Sequence, residues 1–244
     1  IGEVQLIVAS SSVVVNVDDY ATRNLTKEEV VAQLPDEVDP DRVVVVSHHI
    51  GHAASAFYPS GFADAIAIVA DGGGSLVFRE AGEDHEEGWY EERTSVYRGS
   101  AEGLQVIDQY FDGKPSNGYL AGDDHCSLGD LYQSATEFVG FRGGNEGKTM
   151  GLAPYGSGAL FEMFERAVEF GDGRMSIRSD FQFNKRLDGM EPYGGEINKP
   201  RIPEHPLREL DRDVSAGVQH ILEETLIKLA QRAAEATGAR NLCL

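Results

Sequence analysis

Apolar residues follow two rhythms along this chain. Val4–Val8 and Val13–Val17 are rich in β-branched residues, and Val43–Val46 and Ala65–Ala70 are continuous apolar runs. Runs of that length predict strands, the last two covered on both faces. Ser75–Arg79, Trp89–Tyr97 and the closing Asn241–Leu244 read as further strands. Between them lie helical patterns. Thr26 followed by Lys27-Glu28-Glu29 is an N-cap with an acidic first turn, which predicts a short helix to Leu34. Gly51–Tyr58, Gly103–Phe111, Ser127–Phe138 and Leu160–Phe170 are expected helices. The clearest is Val214–Ala236, where Val214, Val218, Ile221, Leu222, Leu226, Leu229 and Ala233 recur at helical spacing. Pro192, Pro200, Pro203 and Pro206 with several glycines mark residues 180–211 as a long excursion or lid. Alternation of strands and helices predicts a layered α/β fold.

Charge narrows the partners. The formal net charge is −20, with 41 acidic against 21 basic residues. Such a chain repels phosphate backbones and anionic lipid, so neither nucleic acid nor a membrane surface is an expected partner. No apolar run approaches the ~20 residues that span a bilayer. Two cysteines, Cys126 and Cys243, make no disulfide scaffold, and a reducing, cytoplasmic setting is expected. The acidic run Glu83–Glu87 reads as a solvated turn. The chain opens on Ile1 directly before an apolar stretch and closes inside an apparent strand. A piece of a longer protein is therefore expected.

Three stretches carry candidate chemistry. The first is His48-His49-Ile50-Gly51-His52. Residues i and i+4 share a helix face, so His48 and His52 can grip one metal ion, which then needs a further protein ligand. A zinc-protease reading is weak, because the pattern's glutamate after the first histidine is here His49. The second is Asp71-Gly72-Gly73-Gly74 at the end of an expected buried strand. Ligands of open α/β sheets collect at strand carboxyl ends, and glycines let backbone N–H groups approach phosphate. A plain tight turn between strands explains the same residues. The third runs from Asn145 to Gly156 and holds Lys148 between small residues. It does not have P-loop spacing, because position 142 is Arg. A Gly-rich connector with a solvated lysine is the plainer reading.

Together, His48–Phe57, Asp71–Gly74, Ser127–Tyr132 with Thr136, Gly140-Phe141, and Glu146–Gly156 occur in the order seen in the NodU/CmcH O-carbamoyltransferases, which residues 43–244 resemble. The resemblance implies an actin-like ATPase fold (ASKHA, ribonuclease-H-like), incomplete at both ends. Residues 1–61 would be the C-terminal part of the first lobe, and 62–244 the second lobe with an insertion at 180–211. It implies that carbamoyl phosphate and ATP give carbamoyl adenylate in a separate adenylate-forming domain. The carbamoyl group then passes to a hydroxyl of a small-molecule acceptor, such as an antibiotic or a nodulation sugar. On the family pattern His48, His52 and Asp71 would hold a divalent metal, typically iron(II). Gly72, Gly73 and Gly74 would line the phosphates, with Lys148 and Gly151 near the nucleotide. The family's His-Asp-Ala-Ser stretch, the Asp that completes the metal shell and the adenylate-forming domain have no counterpart here, so this chain alone is expected to be inactive. Two alternatives keep the fold: transfer of carbamoyl or threonylcarbamoyl to tRNA or a maturation protein, and a non-catalytic nucleotide-binding module. The negative charge disfavours tRNA.

Overall fold

The computed structural model describes residues 7–10, 12–16, 21–82, 87–112, 115–116, 119–120, 127–171, 174–177, 200–203 and 205–244. Two compact units divide the chain: residues 1–69, 73–122 and 233–244 form the first, and residues 70–72 and 123–232 the second. This division follows packing. The lobe boundary at residues 61 and 62 stays an expectation from the resemblance.

In the first unit, β1 (Ile7–Ser10), β2 (Ser12–Asn16) and β3 (Ala21–Asn24) precede α1 (Lys27–Val31) and β4 (Val43–Val46). β1 pairs with β4 in parallel and β2 with β3 antiparallel. Thr26 closes a capping box at α1: its side chain accepts from Glu29 N–H, and the Glu29 carboxylate accepts from Thr26 N–H. Thr26→Ala is expected to cost about 1 kcal/mol, read as a lower urea midpoint. α2 (His48–Phe57) follows at once, then β5 (Ala65–Ala70), β6 (Leu76–Arg79), β7 (Gly88–Ser100) and β8 (Gly103–Asp112). Two short strands, β9 (Pro115–Ser116) and β10 (Tyr119–Leu120), pair with each other.

The main sheet has the order β13-β5-β7-β6, where β13 (Leu242–Cys243) lies parallel to β5 and β8 pairs along β7. β5 is central and apolar, which is why it is buried along nearly its whole length. Ala53 and Phe57 of α2 pack onto Ala65, Ala67, Val69, Tyr97 and Cys243. Helix and sheet are therefore fixed to one another by a shared apolar core.

The second unit is mainly helical. It contains α3 (Leu128–Phe138), α4 (Glu146–Leu152), α5 (Phe161–Glu165), the hairpin of β11 (Val168–Gly171) and β12 (Arg174–Ile177), and most of α6 (Glu209–Thr237). The Phe164 ring lies where a side chain on Gly217 would stand, so α5 seats closely on α6. Buried Thr149 donates to Thr136 at 2.9 Å and joins α4 to α3. Arg201 donates to the carbonyls of Val139 (2.6 Å), Pro203 (2.8 Å) and His205 (2.6 Å), which pins the described end of the Pro-rich excursion. No helix among the described residues is long and apolar enough to cross a membrane.

Several expectations change. Gly103–Phe111 is a strand, not a helix: its apolar residues also suit a strand, and β7 offers it a long antiparallel partner. Leu160–Phe170 is one short helix followed by β11. β4 is not covered on both faces, since Val44 is 41% exposed. α2 begins at His48 rather than Gly51, because Ser47 accepts from Ile50 N–H and starts the helix earlier. The Asn145–Gly156 connector contains the helix α4. Cys126, Glu83–Glu86 and residues 178–199 lie outside the described residues.

Candidate metal centre

α2 brings the histidines onto one side of one helix. His48 Nε2 and His52 Nε2 stand 3.0 Å apart, with the rings edge to face. Two imidazole nitrogens on bonds of ~2.1 Å to a shared ion would stand ~3.0–3.4 Å apart for angles from square to tetrahedral. Asp71 follows β5 directly. One ligand atom from each of His48, His52 and Asp71 lies within 4.8 Å of the other two. Two neutral nitrogens and one carboxylate suit a first-row divalent ion such as iron(II), and such a set leaves it a net positive charge. His52 is exposed, and His48 and Asp71 are partly buried, so an exchangeable ligand can reach the centre.

The glycines after Asp71 serve close packing. A Cβ on Gly73 would stand 2.6 Å from Glu91 Oε1, and one on Gly74 would stand 2.7 Å from His49 Nε2 and 2.8 Å from Glu92 Cβ. Any side chain there collides with β7 or with α2. Gly72 is approached from α3: a Cβ on Gly129 would stand 2.3 Å from Gly72 N. The Ser127 hydroxyl lies 3.4 Å from the carbonyl oxygens of both Asp71 and Gly72. Lys148 and Gly151 share an exposed face of α4, where Lys148 Nζ sits 5.7 Å from the Phe141 ring centre. A Cβ on Gly151 would meet nothing within 4 Å.

β7 carries a buried polar stretch that the sequence reading did not single out, and Glu92 and Ser95 of it meet α2. β7 is buried without a break from Tyr90 to Tyr97, although Glu91-Glu92-Arg93-Thr94-Ser95 are all polar. Arg93 bridges Glu91 (3.1 Å) and Asp112 (2.8 Å). His49 is wholly buried, with Nδ1 2.7 Å from Ser95 Oγ. Glu92 is 2% exposed and accepts from Ser47 Oγ–H at 3.1 Å and Ser75 N–H at 3.1 Å. The only sequence signal for this stretch was five consecutive polar residues inside an expected strand.

Burial pushes the Glu92 carboxyl above the usual glutamate value, and the donors from Ser75, Ser47 and His49 only partly offset it. The folded protein therefore holds this proton more tightly than the unfolded chain. That stabilisation is complete below the unfolded value and is lost as pH rises through the folded one. Glu92→Gln removes the loss. In metal-free protein the urea midpoint of the variant should gain on wild type between pH 4 and pH 8.

The family described as Carbamoyltransferase N-terminus matches residues 3–244 of the sequence. The chain belongs to the carbamoyltransferase N-terminal family. This carbamoyltransferase N-terminal chain is 31% identical over 212 residues to nodulation protein NolNO of Sinorhizobium fredii, which covers 85% of the chain and 26% of that protein. It is 28% identical over 203 residues to nodulation protein NolO of Bradyrhizobium diazoefficiens, covering 82% of the chain and 30% of the relative. An uncharacterized protein of Synechocystis is 29% identical over 209 residues, 81% of the chain and 29% of its own length. The chain thus spans under a third of the length of these curated relatives.

Proposed function

We propose that this chain is the metal-holding part of an O-carbamoyltransferase, which passes a carbamoyl group from carbamoyl adenylate to a hydroxyl of a small-molecule acceptor. The observation that carries the reading is the convergence of His48, His52 and Asp71 beside the Asp-Gly-Gly-Gly turn. Family membership supplies the carbamoyl chemistry. The fold proposed for the complete domain is the actin-like ATPase (ASKHA) fold, which the central, covered β5 with a candidate site at its carboxyl end supports.

His48, His52 and Asp71 would hold the ion, with iron(II) the proposed metal. A bound divalent ion supplies Lewis-acid stabilisation of negative charge on the adenylate phosphate. Asp71 orients one carboxylate oxygen by accepting Gly72 N–H at 2.7 Å. α2 keeps both imidazoles on one side, so neither must be reorganised when substrate arrives. The turn at Gly72–Gly74 is proposed to line the phosphates with its backbone. Lys148 and Gly151 are proposed to contact the nucleotide, on the strength of their motif. The acceptor hydroxyl would attack the carbamoyl carbon, AMP would leave with the electron pair of the broken C–O bond, and the hydroxyl proton would be released to solvent. ATP and carbamoyl phosphate are the proposed sources of the adenylate, and an antibiotic precursor or a sugar is the proposed acceptor class.

The test is carbamoyl transfer by the full-length protein, followed as AMP release and acceptor mass gain. Turnover should require a divalent ion and should vanish on chelation. Undiminished transfer after complete metal removal would refute the reading.

A further inference from the structure

We propose that Glu92 is a positioning residue for the metal ligands: it fixes the angle at which α2 presents His48 and His52 to Asp71. The inference rests on the metal-centre reading and concerns what holds that centre in shape.

The first N–H groups of a helix have no partner within it, and their acceptors decide how the helix end is seated. At α2 each of the first three finds a separate side chain. His48 N–H donates to Ser75 Oγ at 2.9 Å. His49 N–H donates to the Glu92 carboxylate. Ile50 N–H donates to Ser47 Oγ at 3.3 Å. Only the last acceptor is the helix's own cap residue; the other two come from the main sheet and its connecting turn. Glu92 closes these contacts into a ring. One oxygen takes the Ser47 hydroxyl, and the other takes Ser75 N–H. Ser75 in turn holds His48 N–H, so the backbone of the first ligand is itself tied to the turn that starts at Asp71.

The route is short. β7, which carries Glu92, lies beside β5 in the sheet, and Asp71 is the residue after β5. A carboxylate at the positive end of a helix is also favourable in itself. The buried His49 ring, placed against Gly74 and Ser95, fills the space behind this ring of bonds. Loss of the Glu92 acceptors would leave Ser75 N–H and His49 N–H without their carboxylate in a buried place, and α2 would tilt to satisfy them. His48 and His52 would then move together relative to Asp71.

The role is geometric, so an amide should perform it. In Glu92→Gln the side-chain oxygen can still accept backbone N–H groups, and its NH2 can donate to Ser47 Oγ. In Glu92→Leu both functions are gone at similar volume.

The experiment is titration of the metal-free protein with cobalt(II), read by its visible absorption spectrum, for wild type, Glu92→Gln, Glu92→Leu and Ser75→Ala. The expected result is a 10–100-fold weaker cobalt affinity and an altered spectrum for Glu92→Leu. Glu92→Gln should restore the wild-type spectrum with affinity within about threefold, outside the range of effects seen when a supporting residue is lost. Ser75→Ala, which keeps the carboxylate, should shift the spectrum with a loss of about tenfold. A Glu92→Leu variant that folds and binds cobalt as wild type does would overturn the proposal. So would a Glu92→Gln variant as impaired as the leucine one. If Glu92→Leu does not fold, an unchanged spectrum in Ser75→Ala overturns it. Wild-type protein that takes up no cobalt overturns the metal-centre reading itself, a separate outcome from any of these.

Discussion

Asp71→Ala should lower the affinity for iron(II) or cobalt(II) by on the order of 100-fold or more, since losing even a supporting residue costs 10–100-fold and this is a direct ligand. Asp71 is the one anionic group in the trio, so its removal leaves two neutral imidazoles facing a divalent charge. His52→Ala should have an effect of the same order, because it leaves no second nitrogen 3.0 Å from His48 Nε2. His52 is exposed and Asp71 only partly buried, so both variants should fold with nearly wild-type stability. Carbamoyl transfer by the full-length protein should fall with metal occupancy. Isothermal titration of the folded variants with metal, beside circular dichroism melts, separates loss of the centre from loss of the fold.

Gly129→Ala should damage stability and metal binding together. Its Cβ would stand 2.3 Å from Gly72 N, 2.4 Å from Gly72 Cα and 2.6 Å from Asp71 C. All three are backbone atoms, which cannot rotate away as a flexible side chain can. Either the first turn of α3 lifts or the Asp71–Gly72 strip shifts. A cost of about 3 kcal/mol is expected, at the upper end for overpacking. The displaced carboxylate should also weaken metal binding in the molecules that remain folded. Gly147→Ala is the matched control on α4: nothing lies within 4 Å of its added Cβ. An alanine there, in the first turn of α4, should leave stability unchanged or raise it by up to about 0.5 kcal/mol. Urea denaturation of both variants checks the contrast.

The histidine pair and the position of Asp71 at a strand end were legible from local rules, while Asp71 as the third ligand came from the family resemblance. Helical spacing alone places His48 and His52 on one face, and a continuous apolar run alone predicts that β5 is buried and ends at Asp71. The buried polar stretch of β7 was not legible, because local rules point the wrong way for it. Glu91 to Ser95 read as solvent-facing, and only the pairing of β7 with β6 and β8 and the seating of α2 bury them. The same non-local pairing turned Gly103–Phe111 into a strand. Its apolar positions suit either period, and β7, thirteen residues long, takes it as a partner. Gly73 and Gly74 show a related limit. The sequence suggests openness to a phosphate, while the structure accounts for their missing Cβ atoms by Glu91, His49 and Glu92.

X-ray absorption spectroscopy of the iron(II)-loaded protein tests the central claim most directly, because it counts the imidazoles around the ion. The account predicts two imidazole ligands at ~2.1 Å in wild type and one in His52→Ala. An ion bound with no imidazole in its shell, or the same shell in wild type, His48→Ala and Asp71→Ala, would contradict it.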